Sequence, residues 1–131
     1  MGQQQLLLIV LGVIIVGIAI VVGINLFQSS AVEANRSAVI QDLNTLASKA
    51  QEYYKKPTAQ GGGGNSFVGF AMPTGYGTTA NGAYTVSTAG TATTIVFKGI
   101  GNEKGDDAAT GVTHTATVTN SSATPTVAKT N

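Results

Sequence analysis

The chain has 131 residues, no cysteine, no tryptophan, one histidine and a formal net charge of +1, with 10% of its residues charged. Without cysteine there is no disulfide framework, thiol nucleophile or thiolate metal site. Without clustered Lys and Arg there is no electrostatic footprint for nucleic acid, so none is expected as a partner. The length leaves room for one small domain beside an apolar segment.

The first element is that apolar segment. Leu6 to Phe27 reads LLLIVLGVIIVGIAIVVGINLF, with no charge, no proline and Asn25 as its only strongly polar residue. Roughly 20 such residues, rising ~1.5 Å each, cross the ~30 Å hydrocarbon core of a bilayer, and a helix satisfies its own backbone there. Gly12, Gly17 and Gly23 interrupt the run, each lowering helix propensity by up to ~1 kcal/mol relative to Ala. They read either as ordinary membrane-helix glycine or as points of close helix approach or bending. No Gly-x-x-x-Gly pair is present, which weakens the simplest dimer motif. Ahead of the segment, Met1-Gly2-Gln3-Gln4-Gln5 carries no side-chain charge, and the first basic residue is Arg36. Signal and anchor segments carry basic residues before their apolar run. Either a basic leader has been removed or the segment inserts with little help from flanking positive charge; the removed leader is the favoured expectation, with Met1 as the mature first residue.

From Gln28 to Lys56 there is no Gly or Pro, and the apolar residues narrow to a stripe: Val32, Val39, Leu43, Leu46, Ala50 and Tyr53. That spacing keeps to one helical face. The spacing predicts one continuous helix over residues 3–56, ~80 Å long, with the stripe covered by later strands. Asn35, Asp42, Thr45, Ser48, Lys49, Glu52 and Lys56 are assigned to the opposite side. A coiled coil is disfavoured by the shortness of the stripe and by Arg36. Lys49, Lys55 and Lys56 suit the C-terminal carbonyls, and Pro57 ends the helix. Tyr53 and Tyr54 close it with core packing and one wet hydroxyl.

Residues 57–82 read as a Gly-rich connecting loop, its Gly61–Gly64 tract flexible and without specificity. A phosphate-cradling loop is disfavoured, because no Lys-Ser/Thr follows. Residues 66–70 read as a short strand or as a cover over the sheet. Beyond them, Ala83–Thr88, Thr91–Ile100 and Val112–Thr119 alternate with period two, and a last edge strand is expected near Thr124–Ala128 behind Pro125. Asn81-Gly82 and Gly90 mark turns.

The expected fold is α+β: a long N-terminal α-helix, membrane-spanning and then amphipathic, packed on a small antiparallel β-meander. Four segments follow: an apolar helix half at 1–27, an amphipathic half at 28–56, the loop at 57–82 and a Thr-rich sheet at 83–131.

That plan resembles the type IV pilins and their pseudopilin relatives. The resemblance covers the whole chain in architecture, but its specific pattern lies in the first ~56 residues. It implies that a prepilin peptidase removes a leader and that residue 1, here Met1, is N-methylated. It implies further that subunits leave the inner membrane, through a pilus assembly machinery, to form a homopolymer. The residues facing that assembly would be Gln5, Leu6, Leu7, Ile9, Val13, Val16, Ile20, Ile24 and Phe27, and the core would take no cofactor. The chain departs from the family pattern at several points. Met1 stands where the family usually has Phe, Gln5 where it has Glu, and Val22 where it often has Pro; the frequent C-terminal disulfide is absent. Gln5 can accept a hydrogen bond from a neighbour's terminal amine but cannot form an ion pair with it. Gln3 and Gln4 can share that role, and Gly17 and Gly23 can supply the weak point that Pro gives elsewhere. Bacterial and archaeal relatives both remain open.

The expected function is the major structural subunit of an extracellular, cell-surface filament with a membrane-inserted precursor. Its alternatives are a secretion pseudopilin and a single-pass anchored binding domain. No catalytic constellation is present. His114, alone among threonines, reads as a polar strand residue. Residues 102–107 read as a solvated turn, with Glu103, Asp106 and Asp107 as a weak calcium candidate; Lys104 and the spacing count against calcium. Asn120-Ser121-Ser122 fits a glycosylation sequon.

Overall fold

The computed structural model describes residues 2–105, 110–121 and 125–130. Met1, Asp106, Asp107, Ser122 and Thr124, singled out above, lie outside the described residues.

Helix α1 runs unbroken over Gln3–Lys55, straight through Gly12, Gly17 and Gly23. Five strands follow: β1 (Thr78–Thr79), β2 (Gly82–Thr88), β3 (Thr94–Lys104), β4 (Gly111–Thr119) and β5 (Thr126–Lys129). Each pairs antiparallel with its sequence neighbour, in the order β1-β2-β3-β4-β5. The chain is thus one long helix packed on an antiparallel meander, an α+β fold. The second half of α1 lies against β3 and β4.

The core sits between that half of α1 and the inner face of the sheet. Val39, Leu43, Leu46 and Ala50 of the expected stripe are buried, joined by Ala47. They meet Tyr84, Ile95, Phe97, Ala116 and Val118, the inward positions of the alternating strands. Val32 and Tyr53, at the two ends of the stripe, are only half-buried. Residues 66–70 take the covering role: Phe67 is fully buried, its ring 4.8 Å from that of Tyr54, and Phe70 lies edge-on to Phe97 at 5.6 Å. Glycine lets the helix approach closely. A Cβ on Gly99 would lie 2.8 Å from the Tyr84 ring and 3.0 Å from Val39 Cγ1, and one on Gly101 would run into Asn35 Oδ1.

Several details depart from the sequence reading. Asn35 and Asp42 do not face solvent. At 3.6 residues per turn they fall only about 40° and about 60° from the direction of Val39, and both are half-buried against the sheet. The Gly61–Gly64 tract is specific, because it caps the helix. The N–H groups of Gly63 and Asn65 donate to the carbonyls of Tyr53 and Tyr54 at 2.8 and 2.7 Å, and that of Gly64 to Lys56 at 2.9 Å. These carbonyls would otherwise be orphaned at the helix end. Gly61 and Gly64 take φ of +79° and +56°, which Cβ-bearing residues adopt only at a cost. The sheet also begins earlier than residue 83, since β1 lies inside the stretch read as a loop. Asn102, Glu103 and Lys104 belong to β3 and not to a turn.

Candidate functional site

Two regions carry residues whose placement packing alone does not explain. The larger is the first half of α1. Every large apolar side chain from Leu6 to Phe27 is exposed, from 51% at Leu11 to 79% at Phe27. The proposed assembly residues Leu6, Leu7, Ile9, Val13, Val16, Ile20, Ile24 and Phe27 all lie on this surface, and Gln5 precedes it. A Cβ on Gly12, Gly17 or Gly23 would meet nothing within 4 Å. The helix is long and apolar enough to cross a membrane. Apolar surface of this extent far exceeds what a soluble monomer leaves in water. It has to be covered, either by lipid or by protein.

The local physics explains why the fold leaves it bare. The meander can cover only a stripe, and the stripe begins at Val32. Upstream the helix is apolar on all sides, so no single sheet face could bury it. No protein-family model, curated protein or solved structure matches this chain. The surface must therefore be interpreted from its own chemistry.

The second region is a polar junction that fixes the other half of α1 to the first hairpin. Asp42 Oδ2 accepts three hydrogen bonds: from Tyr84 Oη at 2.7 Å, Asn81 Nδ2 at 3.0 Å and Thr79 Oγ1 at 3.1 Å. Burial pushes the Asp42 carboxyl up, but the donors from Tyr84, Asn81 and Thr79 outweigh it and hold the pKa below its ordinary value. The same burial, with the Asp42 charge beside it, raises the Tyr84 phenol. About two turns earlier, Asn35 donates to the Asn81 carbonyl at 2.8 Å and accepts from the Glu103 N–H at 3.2 Å. Asn102 closes the set by donating to the Ala80 carbonyl at 2.7 Å. The junction ties the first hairpin and the end of β3 to the helix. Sequence reasoning missed it. The available signal was the helical angle of Asn35 and Asp42, which places both beside Val39 and Leu46.

The remaining candidates are dispersed. Glu103 is exposed on β3, and among the described residues no group of three His, Cys, Asp or Glu side chains could hold a metal ion. Asn120 is exposed in the turn after β4, its backbone N–H donating to Thr93 at 2.9 Å. His114 is buried on the inner face of β4. Tyr53, at the end of α1, donates its hydroxyl to the Val68 carbonyl at 2.9 Å.

Proposed function

We propose that this chain is the structural subunit of a type IV pilus-like extracellular filament. One observation carries the reading: a single uninterrupted helix has one half covered by its own sheet and the other half apolar and bare on every side. In this reading the bare half, Leu6–Phe27, anchors the precursor in the inner membrane. After a prepilin peptidase has acted at Met1 and the assembly machinery has extracted the subunit, neighbouring copies cover the same residues. Replacing lipid by helices preserves the apolar surroundings, and burial at ~25 cal/mol per Å² holds the polymer without covalent links. The contact joins different patches on successive copies, so it propagates as a helix of subunits and does not close into a ring. Gln3, Gln4 and Gln5 would take up a neighbour's terminal amine by hydrogen bonds.

Intact mass measurement on protein sheared from the cell surface tests this reading. A chain abundant in that fraction, beginning at Met1 and heavier by one methyl group, is the expected result. A chain retained in the membrane fraction with a longer N-terminus would overturn the filament and leave a single-pass anchored domain.

A further inference from the structure

We propose that His114 is an acid-sensitive latch holding the terminal strand β5 against β4. The ring is 2% exposed, and its Nδ1 is buried without a hydrogen-bond partner. Its surroundings are cationic. Lys129 of β5 stands opposite it in the strand register, and Arg36 of α1 acts on it from the helix side. On the β3 side the register partner is Gly99, which brings no charge. Among the described residues the acidic neighbour is Glu33 of α1, which pairs with Arg36 at 2.8 Å and is itself 66% exposed.

A neutral imidazole fits this pocket. A protonated one places a third cation beside Arg36 and Lys129, with the opposing carboxylate mostly in water. Burial first, then Arg36 and Lys129, push the His114 pKa below the ordinary histidine value, and Glu33 only partly offsets them. The unfolded chain therefore takes up a proton at higher pH than the folded one. Folding stability falls as pH drops below the unfolded value of about 6.5, until the folded group also titrates. The strand that yields is β5. It has four residues, follows Pro125, and among the described residues pairs in the sheet with β4 alone. Just beyond the strand, the Thr130 N–H donates to the Thr113 carbonyl at 2.9 Å, one residue from His114. Mild acid would thus uncover the β4 edge while the rest of the meander stays paired.

The test is amide hydrogen exchange on the full chain in detergent micelles, near pH 7 and near pH 5, about either side of the histidine range. After correction for intrinsic rates, protection of the β5 amides should fall roughly tenfold for each unit by which folding lowers the pKa. In His114→Gln, which cannot take up the proton, that fall should vanish. Unchanged protection in the wild type, or the same fall in His114→Gln, would overturn the latch. Titration of the His114 ring by NMR in the wild type is a second test that needs no variant. A midpoint at or above about 6.5 rejects the proposal, and one clearly below it supports it.

Discussion

The phenol of Tyr84 donates a 2.7 Å hydrogen bond to the carboxylate of Asp42, tying β2 to α1 across 42 residues of chain. Asn81 and Thr79 converge on the same oxygen. Removing the acceptor leaves three donors in a half-buried junction. Asp42→Ala should lower the unfolding free energy by about 2–4 kcal/mol, and Tyr84→Phe, which deletes one donor, by about 1 kcal/mol. Denaturant midpoints of the full chain in micelles would measure both. The pH sign follows from the depressed carboxyl. Its contribution is complete above the unfolded value of about 3.9 and is lost as pH falls through the lower folded value. Asp42→Asn should flatten the stability profile in that window.

The glycines fall into two classes that substitution should separate. Gly101 lies against Asn35, with Val39 Cγ2 3.1 Å from where a Cβ would stand; at Gly63 the Tyr53 ring would be 2.8 Å away, and the Ser66 carbonyl lies closer still. Ala at either site should destabilise by about 1–3 kcal/mol through overpacking. Gly17 meets nothing. Gly17→Ala should leave the subunit unharmed or stabilise its helix by up to ~1 kcal/mol. Loss of filaments by that variant, with subunit stability retained, would show that a neighbouring backbone approaches at Gly17. Normal assembly would make it an ordinary membrane-helix glycine.

The helix, the meander and most of the core were readable because each rests on a period. Residues 6–55 contain no proline, and period-two alternation marked β2 and β4 close to their observed bounds, while β3 runs Thr94–Lys104 against the expected Thr91–Ile100. Val39, Leu43, Leu46 and Ala50 were found for the same reason. What escaped depends on contacts distant in sequence or on backbone geometry. Asp42 looks like any solvated helix residue until Tyr84 and Asn81 are brought to it, 42 and 39 residues away. The tetraglycine is compositionally a flexible linker, and only the carbonyls of Tyr53, Tyr54 and Lys56 reveal it as a cap. β1, with two residues, has no period to detect. His114 was recognised as a polar strand residue, but its cationic setting comes from Arg36 and Lys129 on other elements.

A charge in the bare half of α1 separates the fold from the assembly. Val16 and Ile20 are 57% and 56% exposed and lie outside the buried core. Val16→Lys or Ile20→Lys should therefore leave the stability of the subunit within about 0.5 kcal/mol of the wild type. A lysine at the centre of an apolar environment costs ~2.5–3.5 kcal/mol even where it can partly reach water, and more when neighbouring helices close over it. If other copies cover this half, either variant should abolish filaments recovered from the cell surface. Leu43→Ala provides the opposite control. Leu43 is fully buried under the sheet, and its truncation should reduce subunit stability by about 2–5 kcal/mol without introducing charge into the assembly surface. Filament yield and unfolding midpoint, measured on all three variants, should therefore change independently. Normal filament yield in both lysine variants would mean that no other copy covers residues 16–20, and the filament core assignment would fall.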